Sequence, residues 1–281
     1  DRYQIAFDRR TGWLKQYEVD GKSLLGANGT LRPNFWRAVT DNDMGANINI
    51  THKVWKNPVM TLQTLEAKQQ KTGTMVTAFY RMDSVQALLT LQYFIGENGT
   101  IQVSQQLQTN KKASMPNLFR FGMVMDLPYE MEKSVYYGRG PIENYPDRKL
   151  SQRIGRYEQM ADDQFYPYIR PQETGTKGDM RWWKQTDRQG IGLKVVADAP
   201  FYASATHYTI PDVDDGDRKE QRHSYQLKRS CFTELYLDGA HAGVGGIDSW
   251  SGWAEALEPY QVKCEDRAFT FWLLPTETVG D

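Results

Sequence analysis

The chain has 281 residues, 40% of them hydrophobic and 25% charged, with a formal net charge of −1. That balance is ordinary for a globular protein and gives neither the basic field that nucleic acid demands nor the cationic face that an anionic membrane attracts, so the expected partner is neutral. No apolar run reaches the ~18 residues of a membrane-spanning helix, and the 12% aromatic content suits β cores and carbohydrate-contacting surfaces equally.

Period-2 alternation and turn signals recur from end to end, with little helical periodicity, so the chain reads as all-β. It starts at Asp1, inside what reads as a strand, without an initiating Met or the basic-then-apolar pattern of a signal peptide, and is expected to be a piece of a longer polypeptide. Thr11-Gly12 and Asp20-Gly21 break the first stretch into short hairpin strands. Residues 87–95, the turn "GENG" and residues 101–109 form the clearest hairpin. Further strands are expected at 118–127, 190–197, 201–208, 232–237 and 268–274, spaced for a large two-layer sandwich with no linker dividing it. Irregular segments are expected at 32–58, 136–181, 212–223 and 239–253, and long loops on a β scaffold are where binding groups sit.

In "NFWRAVTDNDMG" the carboxylates of Asp41 and Asp43 lie close behind Trp36 and Arg37. Paired acids beside a ring suit glycoside chemistry, but Asp-Asn-Asp in a loop more commonly bonds local backbone, with Arg37 as an ion-pair partner. In "YYGRGPIENYPDRK" Tyr136, Tyr137 and Tyr145 with Glu143, Asn144, Asp147 and Arg148 describe either a ring-lined polar pocket or a loop tied to itself. Farther on, "QETGTKGDMRWW" adds Glu173 and a Trp pair expected to alternate inward and outward along a strand. "PDVDDGD" fails the EF-hand spacing and reads as an acidic, solvated turn. Cys231 and Cys264 match no zinc spacing and read as buried thiols. The four histidines lie far apart, so no metal site is expected. Asn28, Asn49 and Asn98 head three sequons that turn propensity explains as well as glycosylation does. In "GVGGIDSWSGW" Trp250 and Trp253 stand among glycines that permit close backbone approach. An indole there could stack on a sugar ring, with Asp248 and Ser249 as polar anchors, or could close the loop by its own burial.

"RPNFWRAVTDNDMG", "YYGRGPIENYPDRK", "PYIRPQETGTKGDMRW" and "GVGGIDSW", in this order, resemble the C-terminal small-chain domain, the fifth-domain type, of glycoside hydrolase family 2 β-galactosidases. The resemblance implies a galactose-mutarotase-like supersandwich, two large antiparallel sheets face to face, as one domain over residues 1–281 of a longer chain. It implies a parent enzyme that hydrolyses terminal β-D-galactosides with retention, its catalytic glutamates in an upstream (β/α)₈ barrel. This chain alone is then expected to be inactive and to bind galactose weakly or not at all. By the same resemblance Trp250 reaches the barrel's sugar site as an apolar platform. The implied partners are the β-galactoside and the upstream barrel and sandwich domains. No cofactor is expected in this chain, while a Mg or Na requirement and homo-oligomeric assembly of the parent stay open. So does the compartment of a soluble, bacterial-type protein, cytoplasm or periplasm. Two other readings stand beside this one. One is an aldose mutarotase using His207 with Glu173 or Glu143. The other is a structural, oligomer-forming module, which an apolar patch around residues 36–55 and 243–253 would favour.

Overall fold

A computed structural model describes residues 2–276. Its strands are Tyr3–Phe7 (β1), Leu14–Val19 (β2), Lys22–Ser23 (β3), Leu31–Asn34 (β4), Thr61–Gln70 (β5), Gly73–Met82 (β6), Ala87–Gly96 (β7), Ile101–Thr109 (β8), Arg120–Pro128 (β9), Lys133–Gly140 (β10), Arg153–Met160 (β11), Lys177–Thr186 (β12), Gly192–Thr206 (β13), Phe232–His241 (β14) and Arg267–Pro275 (β15). Helix is confined to short turns, including Asp41–Gly45 (α1), Ile48–Thr51 (α2) and Ile210–Val213 (α3).

The strands pair antiparallel in the order β1-β2-β4-β9-β14-β13-β15-β8-β7-β6-β5. The expected two layers arise at β13, whose first half pairs with β15 through Leu193–Ala197 while its second half pairs with β14 through Tyr202–Thr206. Two arms diverge from that fork and fold back on each other. Their far strands meet: the Tyr17 hydroxyl donates to the Gly99 carbonyl at 2.7 Å, the Tyr80 hydroxyl donates to the Thr11 carbonyl at 2.8 Å, and the Phe7 and Tyr93 rings pack edge to face 4.8 Å apart. Inward residues of both arms, such as Met123, Met125 and Leu235 against Leu89, Leu91 and Phe271, form one buried cluster. A third branch, β12-β10-β11, leaves β13 on its own.

The hairpin β7–β8 forms where alternation predicts it, with Ile95 opposite Ile101 and Gly99 at φ +78° closing the turn. Elsewhere the expected boundaries need correction. Residues 136–181 are not irregular throughout, because they hold most of β10, all of β11 and the start of β12. The Gly-Tyr mixture of β10 and the polar, exposed side chains of the edge strand β11 conceal the alternation. The β5–β6 hairpin was not expected; the outer residues of β5 are nearly all polar, as an edge strand's are. The predicted strands at 190–197 and 201–208 are one strand, β13, which runs through Pro200 where its pairing with β12 slips register between Trp182 and Met180.

Candidate functional site

The loop joining β14 to β15 carries the most exposed indole on its face. Trp250 is 79% exposed, with Trp253 and Ile247 each 68% exposed beside it. Large apolar side chains so open on a glycine-rich segment would ordinarily signal a mobile loop, yet this one is held along its length. Val244 and Gly245 donate their backbone N–H groups to Asp147 Oδ2 at 2.9 and 2.8 Å, and Arg37 Nη2 donates to the Gly243 carbonyl at 3.0 Å. Asn42 Nδ2 reaches the Asp248 and Ala254 carbonyls, and the Ile247 N–H meets the Trp253 carbonyl at 2.8 Å. The glycines therefore serve proximity rather than freedom: a Cβ on Gly246 would strike the Ala254 carbonyl, and one on Gly45 the Ser249 carbonyl.

Asp248 builds the turn that presents the indole. Its Oδ1 accepts from Trp250 N and Ser251 N at 3.1 and 3.0 Å, and its Oδ2 from the Ser251 hydroxyl at 2.6 Å. The Ser251 hydroxyl, helped by those two backbone N–H groups, holds the carboxyl below its ordinary value. Ser249 is exposed beside it.

Of the other predicted site residues, Arg37 supports this loop directly, and Asp43 does so through Arg37. Thr40 caps α1, and Asp43 returns the bond to the Thr40 N–H at 2.8 Å. Arg37, with no exposed surface, donates to Asp43 Oδ1 at 2.9 Å and lies over the Phe119 ring. Burial pushes the Asp43 carboxyl up while Arg37 and Thr40 oppose it. Asp41 pairs with Arg170 at 2.8 Å, with Lys219, and with the Gln172 amide; burial raises its pKa, but these partners outweigh it and leave it lowered. Asp41 and Asp43 are thus each engaged by cations or by the backbone, the arrangement expected of residues that tie a loop. Trp36 is buried, its indole N–H on Asp214 at 3.0 Å.

Glu143, Asn144 and Glu173 likewise tie segments together, and Glu143 also borders a small concavity beside Ile142, Tyr166 and Lys177. Glu143 binds Arg148 at 2.6 Å, the Tyr168 hydroxyl and the Gly175 N–H. Asn144 bridges the Arg139 and Ile142 carbonyls to the Gly178 N–H. Glu173 accepts from the Thr176 hydroxyl at 2.7 Å and the Tyr145 hydroxyl at 3.3 Å; burial raises its pKa, opposed by Arg120 and Arg37.

Three further expectations are corrected. His207 does not join Glu173 or Glu143: its Nδ1 lies 3.0 Å from Asp162 and its Nε2 3.1 Å from the Thr233 hydroxyl, so the mutarotase pairing is absent. The histidine nearest Glu173 is His241, at 3.7 Å, sealed from solvent. "PDVDDGD" is not a solvated turn, because Asp214 and Asp215 are buried on Lys56, Arg170 and Arg222. Cys231 is exposed and Cys264 half-buried rather than both being buried, and both are free. Of the sequons, Asn49 is buried with its amide on the Gly216 and Asp217 carbonyls, which leaves it closed to glycosylation. The Trp pair alternates as expected, with Trp183 buried and Trp182 partly open. Asp147, grouped by the sequence with its own loop, instead ties the distant 244–245 segment, and the anchor Arg170 was missed altogether, because its partner Asp41 lies far off in the chain and leaves no local signal. Among the described residues no three His, Cys, Asp or Glu side chains are grouped to hold a metal ion, and no helix is long and apolar enough to cross a membrane.

The family model for the β-galactosidase small chain matches residues 1–273. This chain belongs to that family. Among curated relatives, a β-galactosidase of Lactobacillus delbrueckii subsp. bulgaricus is 32% identical over 254 residues, covering 89% of this chain and 24% of its own. One from Priestia megaterium is 30% identical over 250 residues, covering 88% and 23%. The small-chain segment thus spans about a quarter of the length of the relatives it matches. A galactose mutarotase related enzyme from Lactobacillus acidophilus superposes with a TM-score of 0.54 over 100% of this chain and 96% of its own, at 7% identity. That likeness establishes the galactose-mutarotase-like fold of the small chain.

Proposed function

We propose that this small chain completes the sugar site of a retaining β-galactosidase acting on terminal β-D-galactosides, presenting Trp250 as an apolar platform while the reactive glutamates reside in an upstream barrel of the parent enzyme. One observation carries the reading: an almost fully exposed indole on a loop that hydrogen bonds hold in place, an arrangement that makes sense where a partner supplies the opposite wall. The indole face offers the C–H side of a pyranose an apolar surface. Asp248 fixes the direction in which the ring points, and the Ser249 hydroxyl is the polar group left free beside it. Ile247 and Trp253 supply an apolar border on which a neighbouring domain can pack, so the platform and docking roles agree.

In the complete enzyme, Trp250→Ala is expected to weaken substrate binding by about 1–3 kcal/mol. The effect should fall mainly on KM, because a platform binds ground state and transition state alike. Unchanged KM and kcat would remove Trp250 from the site. The 281-residue chain alone is expected not to hydrolyse a chromogenic galactoside. Turnover that disappears when one of its own carboxylates is replaced would overturn the assignment of the chemistry to another domain.

A further inference from the structure

The alternation that buries one face of each strand puts a second set of side chains on the outer face of the sheet, and one row there lacks the polar character that solvent favours. The register sets Tyr137 on β10 beside Trp182 on β12, Trp182 beside Val196 on β13, and Val196 beside Trp272 on β15. It continues with Trp272 beside Gln102 on β8 and Gln102 beside Phe94 on β7. One residue along these strands, Tyr136, Trp183, Val195, Leu273 and Tyr93 are buried in the core. The outer row is not. Tyr137 is 40% exposed, the other five residues are half-buried, and none of the row's apolar side chains packs against the core cluster.

The rings and donors of this row are unengaged and within reach of solvent. Among the described residues Tyr137, Trp182, Trp272 and Phe94 pair with no other ring, whereas buried Tyr136 and Trp183, one residue away, stack at 4.7 Å. The indole N–H groups of buried Trp36, Trp55 and Trp183 donate to Asp214, Pro116 and Gln185. Those of Trp182 and Trp272 meet no acceptor among the described residues and are not sealed off, and the Gln102 amide between the rings is likewise unbonded. The exposed Lys194 ammonium, 5.2 Å from the centre of the Trp182 ring, adds a donor at the border.

Spacing, charge and width decide what fits. Neighbouring strands lie about 4.8 Å apart, so Trp182, Trp272 and Phe94, each two strands from the next, stand about 10 Å apart. That is the repeat of alternate units in an extended β-linked hexose chain. No ionisable carboxylate or ammonium interrupts the row between Tyr137 and Phe94, which matches a neutral ligand. The row is bordered by Thr270, Ser104 and Gln92 on one side and by Lys184 and Lys194 on the other. A band about 24 Å long and 7 Å wide offers about 170 Å², far below the ~800 Å² that a stable protein interface takes from each partner. A linear chain needs no more.

We infer that the outer row from Tyr137 to Phe94 is a binding surface for a neutral, extended β-linked oligosaccharide, separate from the Trp250 platform. Alternate hexose units lay their C–H faces on Trp182, Trp272 and Phe94, and their hydroxyl groups bond to the two indole N–H groups and the Gln102 amide.

The test is calorimetric titration of the 281-residue protein with cellohexaose and with β-1,4-linked galactohexaose, each compared with its own disaccharide. Saturable binding of at least one hexamer is expected, tighter than its disaccharide by about tenfold or more, because further rings are engaged. Trp272→Ala and Trp182→Ala should each weaken it by about tenfold. Trp250→Ala should leave it unchanged. Near-UV circular dichroism checks the fold, and if one outer-row variant disturbs it, the other carries the comparison. No saturable binding of either hexamer would overturn the inference, as would equal affinity for hexamer and disaccharide. Binding that Trp250→Ala abolishes while both outer-row variants retain it would overturn it too, and would place the sugar on the platform. In the complete enzyme, hydroxyl-radical labelling should reach Trp182 and Trp272 and be blocked by the bound hexamer. Protection without any glycan would mean that another domain or a second copy covers the row, and the inference would fall.

Discussion

Lys177 shows how far a residue's chemistry can depart from its type. Its ammonium is buried, donating to the Gly175 carbonyl at 2.8 Å and to Gln164 Oε1 at 3.2 Å, above the Tyr136 ring. Burial pushes its pKa down from 10.5 to about 7, with Glu143 opposing. Since the folded value lies below the unfolded one, the unfolded chain binds more protons between those two values, so stability contributed at this site rises with pH across that window. Below the folded value the full desolvation cost remains. Urea unfolding of the protein and of Lys177→Met across this range should therefore diverge, the unaltered protein gaining several kcal/mol on the variant, on the order set by ~1.4 kcal/mol per pKa unit. Parallel profiles would show that the ammonium is hydrated or paired. Nothing in "GTKGDM" announces this lysine, because beyond the neighbouring Gly175 carbonyl its surroundings, Gln164 and the Tyr136 ring, come from elsewhere in the chain.

At the scale of an element, the 242–254 loop depends on one carboxylate from a distant turn. Asp147 Oδ2 holds two consecutive N–H groups, Val244 and Gly245. Asp147→Ala leaves both donors unmatched and is expected to cost about 1–3 kcal/mol. Amide exchange at 244 and 245 should quicken while the β7–β8 hairpin stays protected. Equal protection in the variant would mean that Arg37 and Asn42 suffice to hold the loop. Legibility at this scale followed local chemistry. The β7–β8 hairpin was readable because alternation and its turn agree over residues adjacent in sequence. The edge strands β5 and β11 were not, since one exposed face and a polar composition erase the pattern. For the loop, the close-approach role of its glycines was readable, but not its rigidity, which comes from Asp147, Arg37 and Asn42.

For the molecule as a whole, stability is organised around the fork at β13. β9 is buried at every residue but its last, and β13 is shared by three partner strands. Native-state hydrogen exchange should accordingly find the slowest amides in β9 and the second half of β13, and the fastest strand amides in β5 and β11. Early opening of β9 would contradict a core centred on that arm. The sequence alone determined the β class, the strongest hairpin, and the four motifs that mark the small-chain family, because alternation, turn residues and motif order are properties of neighbouring positions. Only the tertiary structure decided what the polar residues of those motifs do. Asp43, Glu143, Asn144 and Glu173 became internal ties and Trp250 stayed open, since whether a side chain is matched or free depends on partners brought from elsewhere in the chain, as when Arg37 meets the Gly243 carbonyl.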